Sequence, residues 1–153
     1  PELSLDGLVM TLTTDASGDL NLLVTTRADF DSPWTAPVPI DELNTATDEV
    51  NGHLTDDGYT IVFCSNRLVG QPQLFVSTRA DLGDDFGSPE HVVAFSNVDA
   101  CAPWFDAPLG LLVYAGGLIG WRTCDYHHML ARFDHYWEEL VEAKHPWWKK
   151  FSG

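Results

Sequence analysis

The chain repeats itself at a period near 51 residues, and no other feature constrains its fold as strongly. Leu3-Ser4-Leu5-Asp6-Gly7-Leu8-Val9-Met10-Thr11-Leu12 is matched, 51 residues on, by Leu54-Thr55-Asp56-Asp57-Gly58-Tyr59-Thr60-Ile61-Val62-Phe63. Thr26-Arg27-Ala28-Asp29-Phe30 returns 52 residues on as Thr78-Arg79-Ala80-Asp81-Leu82, and Asp48 returns as Asp99. Repetition at such a period marks a solenoid, a propeller or another array, in which one supersecondary unit buries its apolar face against the next.

The content of each unit selects among these. Asp-Gly is a hairpin signal, because both residues tolerate the positive φ of tight turns. After it come short runs rich in Val, Leu, Ile, Phe and Thr, separated by polar breaks, which read as strand, turn, strand, loop, strand. Several short strands in a period of about 40–50 residues is the pattern of a β-propeller blade. The expected fold is therefore all-β: a partial β-propeller of about three four-stranded antiparallel blades. The units run over about 1–47, 48–98 and 99–120 onward. In the first, Val9 to Thr13 and Leu20 to Thr25 pair across the turn Asp15 to Gly18, and Val38 to Ile40 forms the outer strand. In the second, the inner strand is Glu49 to Leu54, the middle strands are Tyr59 to Ser65 and Gln73 to Thr78, and the outer strand is His91 to Phe95. In the third, Ala100 to Phe105 and Leu111 to Tyr114 are strands. Trp34, in the Pro-rich loop Asp31 to Pro37, packs on its own blade, with Phe86 near the same place in the second unit.

The repeated residues resemble the WD40-like (PD40) repeat of TolB-type β-propellers. The resemblance rests on Leu54-Thr55-Asp56-Asp57-Gly58, Cys64-Ser65-Asn66-Arg67 and Leu74-Phe75-Val76-Ser77-Thr78-Arg79. In the first unit it rests on Leu3-Ser4-Leu5-Asp6-Gly7, Thr13-Thr14-Asp15 and Leu22-Leu23-Val24-Thr25-Thr26-Arg27. The proline of the usual Ser-Pro-Asp-Gly is replaced by Leu5 and Asp56. The likeness covers roughly residues 1–115. It implies a repeat type rather than an activity, and a periplasmic or extracellular location.

Propellers close with about 4–8 blades, and an open array leaves strand edges unpaired. Three units beginning inside a repeat at Pro1 are expected either to be part of a longer propeller or to complete the ring by oligomerising, as a six-bladed dimer would.

Past Gly120 the composition changes: four of the six His and four of the six Trp lie there. Residues 121–153 have two principal readings. Arg132-Phe133-Asp134 and Trp137 can continue the repeat as a degenerate blade, matching Arg27-Ala28-Asp29 and roughly Trp34. Alternatively, Met129, Leu130, Phe133, Trp137, Leu140 and Val141 fall at helical spacing, giving an amphipathic helix from about Asp125 to Lys144 that ends before Pro146. The helix is the more regular pattern, and it would cover an open sheet edge. A third reading is a tail whose coding frame was lost after Gly120.

The net charge is −15. Residues 1–100 carry 17 acidic and 3 basic side chains, and all three Lys lie beyond them. Such a surface repels phosphate backbones and excludes nucleic acid as the expected partner. The sequence holds no apolar run of about 18 residues that would cross a membrane as a helix, and no signal peptide is visible in it. Cys64, Cys101 and Cys124 form neither an even set nor a CxxC pair, so neither a disulfide framework nor a zinc site is expected. Cys64 reads as a small buried thiol in a core strand.

No catalytic constellation stands out. The cluster Cys124-Asp125-Tyr126-His127-His128 with His135 and His145 does not fix three or four convergent metal ligands. A GxSxG nucleophile motif is missing from the sequence. Ser4-Leu5-Asp6-Gly7 fails as a sialidase-type box, with Gly one place early and no Trp after it. Carboxylates for glycoside hydrolysis abound without evident placement. No cofactor is called for. The remaining candidate is a binding surface at the channel mouth, where inner strands and their loops meet: Glu49, Asn51, His53, Asp99 and Trp104. These suit a peptide, a glycan or a small cation; equally, they could serve only to pack blades around the axis. The functional expectation is a non-enzymatic repeat module for protein–protein binding or envelope scaffolding, its partner another protein or further blades. The alternative is part of a propeller hydrolase, either a glycoside hydrolase or the non-catalytic cap of a peptidase.

Overall fold

The computed structural model describes residues 1–16, 18–68, 71–93, 99–106, 111–117 and 131–132, of which 99–100, 105–106, 111–117 and 131–132 are described by backbone alone. Every regular element among them is a strand. β1 (Glu2–Leu3), β2 (Val9–Thr14), β3 (Asn21–Thr26) and β4 (Val38–Pro39) form one antiparallel sheet in chain order. β5 (Glu49–Leu54), β6 (Thr60–Ser65), β7 (Gln73–Thr78) and β8 (Glu90–His91) form a second. β9 (Asp99–Asp106), β10 (Leu111–Gly117) and β11 (Ala131–Arg132) form a third, with β10 in the middle. No helix is long and apolar enough to cross a membrane among the described residues.

The second sheet repeats the first residue by residue. Leu3 faces Met10, and Leu54 faces Ile61. Val9 faces Thr26 and Thr14 faces Asn21; Thr60 faces Thr78 and Ser65 faces Gln73. Val24 faces Val38, and Val76 faces Glu90. The offset is 51 before the β2–β3 connection and 52 after it, because the β6–β7 connection is one residue longer. The outer strand β8 is thus Glu90–His91, earlier than the expected His91 to Phe95; residues 94 and 95 lie outside the described residues.

The repeated anchors are structural knots. Ser4 and Thr55 each donate a side-chain hydrogen bond to the Asp two residues on, Asp6 and Asp57. These carboxylates accept the backbone N–H of Leu8 and Tyr59. Gly7 and Gly58 take the positive φ this turn demands, at 67° and 75°. Their carbonyls then accept Nε–H of Arg27 and Arg79, both at 2.8 Å. Arg27 stacks on Trp34 and Arg79 on Phe86, at 4.6 and 4.7 Å from the ring centres. This is why Asp-Gly and Thr-Arg recur together: one closes the hairpin and the other ties its tip to the outer loop. The Ser4 hydroxyl, then the Leu8 N–H, hold the Asp6 carboxyl below its ordinary value. A depressed folded-state value means that this contribution is present at neutral pH and is lost as pH falls through that value.

The core lies between the first two sheets. Leu22, Ile40 and Leu43 meet Ile61, Phe63, Phe75 and Phe86. β6 is buried along its whole length, which explains why its sequence is an unbroken apolar run rather than an alternating one. β9 lies on the other face of the second sheet, where Cys101 forms a disulfide with Cys64 of β6. This corrects the expectation of a free thiol at Cys64: a separation of 37 residues resembles no short cysteine motif, and an odd count hid the pair.

At its two residues, β11 replaces the helix expected from about Asp125 to Lys144; the remainder of that stretch lies outside the described residues. Arg132 faces Leu111, the position at which Thr26 faces Val9 and Thr78 faces Thr60. Arg132 therefore sits one residue before the place of Arg27, not on it.

Closing a loop of this length constrains the unfolded chain by about 3–4 kcal/mol. Cys64→Ser, or reduction of the wild-type protein, is expected to lower the urea unfolding free energy by about that amount. Equal stability with and without reductant would show that the bridge constrains nothing.

Candidate functional site

The innermost strands carry an irregularity that decides where their side chains go. Between Val50 and His53 the β5–β6 register shifts, and Asn51 adopts φ 53°. At the same place one period later, Ala102 adopts φ 48° and the β9–β10 register shifts opposite it. Asn tolerates the left-handed region better than most residues; Ala102 is held there by the same bulged geometry. A bulge inserts one extra residue and re-aims the side chains beyond it. In a regular strand Glu49, Asn51 and His53 would share a face. Here they do not.

Glu49 lies inside, with no exposed surface. Its carboxylate accepts hydrogen bonds from Thr45 N–H at 2.7 Å, from the Thr45 hydroxyl at 2.8 Å and from the Thr47 hydroxyl at 3.2 Å. Ser65 donates at 2.6 Å and Arg67 Nη2 at 3.2 Å. Arg67 also donates to the Leu43 carbonyl and lies over the Phe63 and Phe75 rings. Glu49 thus fixes the connection entering the second sheet, and its place is interior rather than at a surface. The Asn51-Gly52 pair inside a strand pattern was the signal for the bulge that separates it from His53.

His53 and Trp104 do come together. Their ring centres are 6.1 Å apart at an interplanar angle of 58°. His53 Nδ1 is 2.5 Å from Glu2 Oε2. Glu2, His53 and Trp104 are successive equivalents at the 51-residue offset, one on each inner strand, so the repeat stacks them in a row. Trp104 is 44% exposed and the Glu2 side chain 36% exposed. Asn51 is exposed beside them and donates from Nδ2 to Cys101 Sγ at 3.3 Å. Next to the row, Glu2, Thr13, Asn51, Gly52 and Ala102 line a cleft of about 150 Å³. Glu2 was missed in reading the sequence, although its offset from His53 and Trp104 was available to find it.

Asp99 stands opposite Gly117 in the third sheet. Its counterpart Asp48 exchanges backbone and side-chain hydrogen bonds with Asn66 and accepts Leu20 N–H from the first sheet at 3.0 Å. Glycine in the place of Asn66 removes that side-chain partner from the third unit.

A larger cleft of about 360 Å³ opens between the first two sheets, lined among others by Val24, Leu54, Glu42, Arg79, Asp84 and Phe86. Burial pulls the Arg79 guanidinium below its ordinary value, against the opposing charges of Glu42 and Asp84. Arg79 is already committed to Gly58 and Phe86, which marks it as part of the framework. No group of three or more His, Cys, Asp and Glu side chains suited to a metal ion occurs among the described residues.

No protein-family model matches the chain, and no curated protein matches it.

Removing one partner of a buried ion pair leaves the other uncompensated, at a cost of about 3–5 kcal/mol. Glu49→Ala is expected to destabilise the protein by about 3 kcal/mol or more in urea unfolding, given this loss and five unfilled donors. A change under about 1 kcal/mol, within the range of an ordinary surface substitution, would remove Glu49 from this role.

Proposed function

We propose that the chain is a non-enzymatic repeat module of the TolB-type β-propeller kind, working in protein–protein binding or envelope scaffolding, and that it holds its partner through the row Glu2, His53 and Trp104. The observation that carries this reading is that row: one register position on three consecutive inner strands supplies a carboxylate, an imidazole and an exposed indole side by side. In a propeller, inner strands line the channel and its mouth. The two matching sheets, each with its innermost strand packed toward the next sheet, support the propeller reading.

The chemistry of the row favours a cationic segment of a protein partner. An indole face attracts ammonium or guanidinium groups, Glu2 offers the complementary charge, and the acidic chain as a whole draws basic partners toward it. The 150 Å³ cleft is smaller than the ~300 Å³ typical of small-molecule pockets, so it suits the tip of a side chain better than a whole ligand. The Cys64–Cys101 bridge supports a location in an oxidising compartment, periplasmic or extracellular.

A fluorescence-anisotropy panel of lysine- or arginine-rich peptides against acidic ones tests this. Basic peptides are expected to bind more tightly, and Trp104→Ala is expected to weaken them by about tenfold, the equivalent of one cation–π contact of 1–2 kcal/mol. Equal affinity for acidic and basic peptides, or turnover of glycoside or peptide substrates abolished by His53→Ala, would overturn the reading.

A further inference from the structure

We infer that the outward face of the first sheet is a docking surface for a second copy of this chain, which adds its third sheet there in the way the first sheet already packs on the second. This inference rests on sheet packing alone and does not depend on the proposed ligand row.

Alternation along β6 and β7 places Ile61, Phe63 and Phe75 on the face that meets Leu22, Ile40 and Leu43 of the first unit. The exact registers at offsets 51 and 52 make Met10, Leu12 and Leu23 the equivalents of those three, and Leu3 the equivalent of Leu54. The first sheet therefore carries the same apolar face, with nothing described against it. Burial records the difference. Ile61 and Phe63 are 0% exposed and Phe75 3%, whereas Met10, Leu12 and Leu23 are only half-buried and Leu3 is 56% exposed.

What covers such a face is visible within the chain. The face of the first sheet that meets the second is built at Val9, Thr11, Leu22 and Val24: Leu22 lies in the shared core, Val24 packs against it, and the Thr11 hydroxyl donates to the Gly52 carbonyl. In the third sheet, Leu111 and Val113 hold the register positions of Val9 and Thr11. Sheets meet in this way between the first and the second and again, through β9, between the second and the third, so one half of the same interface is left at each outer sheet. A contact between unlike faces is head-to-tail. Two copies related by a two-fold axis make it twice and close the array, which leaves no apolar sheet face open. The four named residues of the docking face are uncharged, so the repulsion between copies of net charge −15 is long-range and screened by salt.

Sedimentation equilibrium of the 153-residue chain across the micromolar range tests the inference. The expected result is a species of twice the chain mass whose association tightens as salt is added. Leu12→Asp and Met10→Asp, each placed on the open face, are expected to raise the dissociation constant at least about tenfold, since each sets a charge against apolar surface. Leu68→Asp, at an exposed turn of the second sheet, is expected to leave it unchanged, and circular dichroism confirms that each variant keeps its strands. A monomer throughout the range, an association indifferent to both face variants, or an open ladder of higher oligomers would overturn the closed pair.

Discussion

The close approach of β5 to the first sheet is the constraint on which the rest of the molecule depends. Gly52 has no side chain to keep the strands apart, and its carbonyl takes the Thr11 hydroxyl at 2.5 Å. A Cβ at this position would lie 3.1 Å from Leu22 and 3.3 Å from Ile61, so two residues at the heart of the core are pressed against the strand. The bulge at Asn51 brings Gly52 to this spot. It also turns His53 toward Glu2 and Trp104 while Glu49 stays inside. Packing, interior charge and the exposed row all stem from one local departure from a regular strand.

The inner strands do two opposed jobs. At its start β5 buries the Glu49 carboxylate, which is tolerable because five donors converge on it. A few residues later the same strand presents polar and aromatic groups to water. The third unit keeps the bulge at Ala102 and the exposed aromatic at Trp104, but Ala100 replaces Glu49 and Gly117 replaces Asn66. What that unit loses in polar fastening, the disulfide from Cys101 to Cys64 supplies by covalent means.

Much of this was legible in the amino-acid sequence, and the exceptions have physical causes. Asp-Gly, Thr-Arg-Ala-Asp and the alternation of apolar runs located β2, β3, β6 and β7 to within a residue, because turn chemistry and apolar burial are local properties. Trp34 and Phe86 were expected in like places, and both lie against the arginine of their own unit. The disulfide was hidden because the pairing of Cys64 and Cys101 depends on which face of β6 meets β9, a tertiary matter. Glu49 and His53 were grouped as residues of one inner strand, but the bulge at Asn51-Gly52 parts them and leaves Glu49 buried. Of the candidate site, His53, Asn51 and Trp104 lie together. Glu2 joins them from β1, within residues 1–7 that were expected to hold the end of an innermost strand.

The extra residue between β6 and β7 has a practical consequence. The pairings on both sides of that connection are the same in the first two sheets, although one loop is longer than the other. The hairpin end therefore absorbs added length without passing it into the ladder, whereas the inner strands, with their bulge and glycine, have no such slack. A reporter group or an epitope could be grafted at this end of either hairpin while the stacked layers kept their alignment.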